Sequence, residues 1–154
     1  KAAQKESFAG RAAVICDRED SEQDALALVE NIAKNLEMHL IYMNADAHDV
    51  HTAYISHISH ITSYALANTV LEKEREEDTI FQLASSGFSS TVRLAKSHPE
   101  MWVPIFKQNK ENVLDVLNEH ITQLRKFKSA LEKENFELLE ELIKNANKIR
   151  GILK

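Results

Sequence analysis

The spacing of apolar positions changes once along the chain. Near the N-terminus, RAAVIC (Arg11–Cys16) reads as a short buried strand. Ala25, Leu26, Leu28, Val29, Ile32, Ala33 and Leu36 then keep helical spacing, and HLIYM (His39–Met43) reads as a second strand. Ser21, with Asp24 three residues on, marks the start of the helix between them. Strand, helix and strand in this order predict a βαβ unit with parallel strands and a right-handed crossover. Two strands and one helix do not make a stable sheet alone. Residues 1–47 are therefore expected to be the closing piece of a larger α/β domain, the alternative being strands that pair across a dimer.

From Ala47 onward the pattern is helical throughout. One helix is predicted over 48–74, ending in the charged run EKEREED (Glu72–Asp78), a second over 78–85, and a third over 88–97 after Gly87. Ser97-His98-Pro99 opens a short fourth helix, with proline near the first turn, where its missing N–H costs little. A long amphipathic helix follows over 109–132, carrying Val113, Val116, Leu117, Ile121, Leu124 and Leu131. The last helix, over 135–150, carries Phe136, Leu139, Leu142, Ile143, Ala146 and Ile149. Three glycines and two prolines leave few breaks, which favours a mainly α protein.

Charge and composition narrow the partners. The formal net charge is −5, with five basic and nine acidic residues in 1–47. No basic block suggests nucleic acid, and no polyacidic tail suggests a solvating arm. A single cysteine, Cys16, excludes an internal disulfide and fits a reducing compartment. The polar N-terminus shows no secretory h-region, so a cytoplasmic location is expected. Val50–Leu71 contains no Lys, Arg, Asp or Glu and is long enough for a bilayer. Its histidines, serines and threonines instead point to burial within protein, with no membrane span.

That uncharged segment holds the first candidate chemistry. In HDVHTAYISHISHITSYALA (48–67), four of the seven histidines fall close together. On a uniform α-helix, His51, His57 and His60 lie at about 300°, 180° and 120° from His48, so the four cannot converge on one metal. No HExxH pattern supports a metal site through other ligands. Tyr54, Ile55, Ile58, Ile61 and Ala65 form one apparent core face. Asp49, Ala53, Ser56, His60, Ser63 and Ala67 form another of small or polar residues, suited to close approach of a helix or a ligand. Satisfied structural histidines and a binding site both fit this pattern. The second candidate is SSGFSSTVRLAKSHPEMW (85–102). Arg93, set among apolar residues, reads either as an ion-pair partner or as a carboxylate receptor. Ser86 and Gly87 lie at a helix start, where free N–H groups can hold an anion. Trp102, the sole tryptophan, reads as core or interface.

Together, HDxHxAYxSHxxHxxSxALA and GFxxxxRLAKSxPxMW, followed by a long helix, resemble the C-terminal region of prephenate dehydrogenases over essentially the whole chain. The resemblance implies a βαβ remnant of a Rossmann-type nucleotide-binding domain (1–47) and an all-α dimerisation and substrate-pocket domain (48–154). It implies a parent enzyme that oxidises prephenate with NAD, releasing CO2 and forming 4-hydroxyphenylpyruvate on the route to tyrosine. By motif position, His48, His57 and His60 match histidines of the family's substrate pocket, and Arg93 matches its carboxylate-binding arginine. Ser86 and Gly87 match a glycine-rich turn beside the pocket, and Trp102 a tryptophan near the dimer-shared site. The partners implied are prephenate or 4-hydroxyphenylpyruvate and a second copy of the chain. Three positions depart from the family: Ser59 stands where proline is common, SSG is a reduced glycine run, and Ser90 replaces a frequent acidic residue. The departures leave prephenate and arogenate both open. The sequence has neither a GxGxxG fingerprint nor a counterpart of the family's hydroxyl-activating histidine. No catalytic residue and no metal ligand is therefore assigned to this chain, which alone is expected to be inactive. The alternative reading is a stand-alone helical homodimerisation module without catalysis.

Overall fold

The computed structural model describes residues 6–77 and 79–153. Contacts divide the chain into two compact units, one ending at Thr52 and the other beginning at Ala53.

The first unit contains β1 (Ala12–Cys16), α1 (Gln23–Asn35), β2 (His39–Met43) and α2 (Ala45–Thr52). β1 and β2 pair in parallel, with Ala12 opposite His39 and Cys16 opposite Met43. The strands thus form where short apolar runs predict them. The helix starts later than Ser21 predicts: Glu22 is the N-cap and makes no side-chain capping bond. Asp17 ties the unit together at the strand ends. Its N–H donates to the Met43 carbonyl (3.1 Å), and its carboxylate accepts from the Ala45 N–H at the start of α2 (3.1 Å). Asp17 achieves this from a left-handed backbone, φ 46°. Nearby, the Tyr42 hydroxyl donates to Glu30 (2.8 Å), and the Arg18 guanidinium lies over the Tyr42 ring. Of the apolar stripe on α1, only Ala33 is buried, while Leu28, Val29 and Ile32 are exposed. Two strands are too narrow to cover that stripe.

The second unit is helical. A π turn (Ala53–His57) leads into α3 (Ile58–Glu77), then come a 3₁₀ turn (Ile80–Leu83), α4 (Ser86–Thr91), a second 3₁₀ turn (Arg93–Lys96) and α5 (Pro99–Gln108). α6 (Lys110–Glu132) and α7 (Phe136–Ala146) follow, with a final 3₁₀ turn over Asn147–Gly151. Pro99 occupies the first turn of α5 with His98 as N-cap. Asn135 caps α7 by accepting from the Leu138 N–H (3.0 Å). The core is small: Ala53, Trp102, Val113, Val116 and Ala130 are its buried apolar residues among those described.

The segment predicted as one helix over 88–97 is split into α4 and a 3₁₀ turn, and Gly87 lies inside α4 rather than ahead of a helix. The helix predicted over 78–85 is only the 3₁₀ turn Ile80–Leu83, and Asp78, its expected first residue, lies outside the described residues. Most informative is the π turn. A π turn closes i→i+5 bonds and breaks the uniform 100° progression, so the single wheel drawn through the histidine segment does not hold. Tyr54 and Ile55, assigned to the core face, are 46% and 75% exposed. Ala53, His60 and Ser63, from the small and polar positions, are buried, and so is His57, which the wheel placed on neither face. No helix among the described residues is long and apolar enough to cross a membrane.

Candidate functional site

The buried face of the π turn and α3 meets α5 and the start of α6, and there the histidines and the tryptophan come together. His60 stacks on Trp102 with ring centroids 3.5 Å apart and planes inclined by 28°. His57 meets the same indole edge-on at 6.0 Å and meets Phe106 at 6.2 Å. Phe106 follows Trp102 by one helical turn on α5, which places both rings on one side of that helix. Trp102 is buried, and its Nε1–H has no hydrogen-bond partner among the described residues.

The hydrogen bonds define what each imidazole presents. His60 Nδ1 lies 3.0 Å from the Ser56 carbonyl one turn back. A carbonyl only accepts, so Nδ1 carries a proton, and the neutral ring keeps a lone pair on Nε2. His57 Nδ1 lies 3.3 Å from Asn109 Nδ2, and Asn109 Oδ1 accepts from Asn112 Nδ2 at 2.7 Å. Asn109 was not among the residues singled out in the sequence, where an Asn just before a helical stripe reads as a cap.

Arg93 is exposed, in the 3₁₀ turn that follows α4. Its backbone is positioned by Ser63, which is 1% exposed. The Ser63 hydroxyl donates to the Thr91 carbonyl and accepts from the Ala95 N–H, both at 3.0 Å. The Tyr64 hydroxyl reaches the Ser97 carbonyl in the same stretch. Ser63 is thus the small polar residue that lets the Arg93 segment lie close on α3. Ser86 and Gly87 form the first turn of α4, both exposed. Ser90 and Thr91 donate back to the Gly87 carbonyl at 2.9 Å. A Cβ on Gly87 would meet only Ser85 Oγ, at 3.8 Å. His48 belongs to the first unit, on α2, where its Nδ1 lies 3.0 Å from Asp49 Oδ1. Of the seven predicted site residues, the structure therefore gathers His57, His60 and Trp102, and holds the Arg93 backbone on the same helix that carries His60.

No group of three or more His, Cys, Asp or Glu among the described residues could hold a metal ion. The turn between β1 and α1 carries Asp17, Glu19, Asp20 and Glu22 and no glycine. Carboxylates there repel a pyrophosphate, and the backbone lacks the close approach that a glycine-rich turn provides.

The arrangement is that of a helical domain with a recessed histidine–tryptophan cluster and an arginine on a neighbouring, braced turn. The sequence model described as "Prephenate dehydrogenase, dimerization domain" matches residues 44–145, and the chain belongs to this family. It is 28% identical over 137 residues to the prephenate dehydrogenase of Bacillus subtilis, covering 89% of this chain and 37% of that protein. It is 27% identical over 131 residues to the cyclohexadienyl dehydrogenase of Zymomonas mobilis, covering 84% of this chain and 45% of that one. The structure of prephenate dehydrogenase from A. aeolicus in complex with hydroxyphenyl propionate and NAD+ superposes with a TM-score of 0.85 at 27% identity, over 96% of this chain and 51% of that one. Synechocystis arogenate dehydrogenase shares the fold, with a TM-score of 0.79 at 22% identity over 99% of this chain and 55% of that one. The chain thus spans about half or less of the relatives it matches. The mainly α fold with a short parallel βαβ at its start is that of their C-terminal region.

Proposed function

We propose that this chain is the C-terminal part of an NAD-dependent prephenate dehydrogenase, a cytoplasmic enzyme that decarboxylates prephenate oxidatively to 4-hydroxyphenylpyruvate. Residues 1–47 are the end of its nucleotide-binding domain, and residues 48–154 supply the dimer interface and the substrate contacts. The observation that carries this reading is the gathering of His57 and His60 around Trp102 inside the segment matched by the family. Prephenate is a dianion. Arg93 offers a bidentate fork for one carboxylate. The imidazoles and the buried Trp102 Nε1–H offer oriented groups for the other oxygens, and the apolar rings beside them strengthen each contact. Ser86, Gly87 and His48 complete the proposed set of substrate contacts. NAD is held by the remainder of the parent protein, because the βαβ piece here has no cradle for it.

The homodimer reading has its own support. Leu124 and Leu131 on α6 and Phe136 and Ile143 on α7 are exposed, although their spacing is that of a core face. A second copy of the chain would cover them. The test is the full-length parent protein carrying Arg93→Ala. The reading expects a dimer unchanged by light scattering and a KM for prephenate raised at least tenfold, the order expected for loss of one charge-assisted hydrogen bond. An unchanged KM with altered oligomerisation would instead favour the helical module without catalysis.

A further inference from the structure

We propose that Asn109 is a positioning residue that fixes the neutral His57 ring as its Nε2–H tautomer, and that Asn112 fixes Asn109. The functional meaning of this proposal rests on His57 being a substrate contact.

The Asn109 side chain does not do what its position suggests. Asn109 is the N-cap of α6, where an asparagine oxygen normally accepts from a backbone N–H of the first turn. Here it makes no such bond. The backbone carbonyl of Asn109 starts the helix by accepting from the Val113 N–H (3.0 Å), and the carboxamide turns inward instead. Its Oδ1 accepts from the side chain of Asn112, so its Nδ2 faces His57 Nδ1. Both Asn109 and His57 are 8% exposed.

An amide NH2 donates and cannot accept. The nitrogen it faces must then be the unprotonated one, which leaves the ring proton on Nε2. The opposite polarity is not reached by turning Asn109 alone. That flip would set its NH2 against the NH2 of Asn112, so both amides must turn together. With the two amides oriented as they are, a proton on Nδ1 would oppose N–H to N–H in a buried place, at a cost that buried polar networks avoid. His60 is held the other way, with Nδ1 protonated by its bond to the Ser56 carbonyl. Two imidazoles, one at the end of the π turn and one on α3, both packed on Trp102, are thereby given opposite tautomers. In these tautomers Nε2 is a donor on His57, the kind of group from which a carboxylate or keto oxygen accepts, and an acceptor on neutral His60, the kind to which a hydroxyl donates.

The test is long-range proton–nitrogen NMR on the full chain labelled with 15N-histidine, with His57→Gln assigning the resonance. The expected spectrum shows His57 protonated on Nε2 and His60 protonated on Nδ1. Asn109→Asp, whose carboxylate accepts, should move the His57 proton to Nδ1. A wild-type His57 protonated on Nδ1, or a tautomer unmoved in a folded Asn109→Asp, overturns the proposal. Should Asn109→Asp fail to fold, the wild-type spectrum alone decides. A second readout separates this inference from the reading it rests on. In the full-length parent, Asn109→Asp should raise KM for prephenate about tenfold or more, the size expected for loss of one donor to a carboxylate. An inverted tautomer with unchanged KM leaves the positioning intact and removes His57 from the substrate.

Discussion

Replacing Ser63 by alanine tests whether the Arg93 segment is held on α3 by one hydroxyl. Ser63 is 1% exposed and makes two bonds of 3.0 Å, donating to Thr91 and accepting from Ala95. The Ala95 N–H has a second acceptor, the Val92 carbonyl at 3.0 Å, so it is not orphaned by the substitution. The Thr91 carbonyl loses its side-chain donor. A lost hydrogen bond plus one partly desolvated acceptor costs about 1–3 kcal/mol. For a chain of this length that lowers the melting temperature by roughly 3–10 °C. The assay is thermal unfolding followed by circular dichroism at the helical band. Ser59→Ala is the internal control. Its hydroxyl bonds to the Ile55 carbonyl one turn back, an arrangement that stabilises a helix little. Ser59→Ala should lie within about 0.5 kcal/mol of wild type. If Ser63→Ala melts no lower than Ser59→Ala, the bracing of the Arg93 turn by this hydroxyl is wrong.

Further outcomes follow from other residues. Gly87→Ala should leave stability unchanged or raise it by up to about 1 kcal/mol, since glycine inside a helix is disfavoured and the added Cβ meets only Ser85 Oγ. Unfolding curves check this, and a marked loss of stability would refute the packing described for α4. Tyr54 is held above the usual tyrosine range by its hydrogen bond to Glu119, then by desolvation and by the charges of Glu119 and Asp115. Tyr42 is raised in the same way by Glu30. A folded value above the unfolded one means that the stabilisation is complete below about pH 10 and is lost as pH rises through the raised value. Absorbance titration of tyrosinate should show Glu119→Gln moving one of the three tyrosines downward, and Glu30→Gln another. Identical curves for wild type and Glu119→Gln would contradict the Tyr54–Glu119 contact. His60→Ala should remove the stacked cover from Trp102 and shift its emission to the red, and an unshifted spectrum would contradict the 3.5 Å stack.

Much of this structure is legible in the sequence because burial and period agree there. β1 and β2 form where short apolar runs predict them, and α6 begins and ends within a residue of the predicted 109–132. Pro99 sets the start of α5 as its missing N–H requires. The failures have equally local causes. A π turn leaves no period in five residues, so Tyr54 and Ile55 read as core when Ala53, His57 and Ser63 are buried instead. The stretch from 88 to 97 has helical composition, but it breaks after Thr91, where the Ser63 hydroxyl takes up the Thr91 carbonyl and bonds the Ala95 N–H. No pattern within the segment reports a bond to a residue some thirty positions earlier. Asn109 looks like a cap and occupies a cap position, yet its side chain faces His57, a use that only the fold reveals. His57, His60 and Trp102 stand out in the sequence because imidazoles in an uncharged stretch and a lone tryptophan are unusual. That they share one cluster, His60 stacked on the indole and His57 edge-on to it, is a result of the fold that brings α5 to them.

The central claim is that these helices serve a prephenate dehydrogenase, and the most direct test is the reaction itself. The full-length protein encoded by the reading frame that contains this chain should be purified and supplied with NAD+ and prephenate, with NADH followed by absorbance and 4-hydroxyphenylpyruvate by chromatography. Equimolar NADH and 4-hydroxyphenylpyruvate, abolished or strongly reduced by Arg93→Ala in a protein that remains dimeric, is the predicted result. A folded dimer that forms neither product from prephenate would contradict the account.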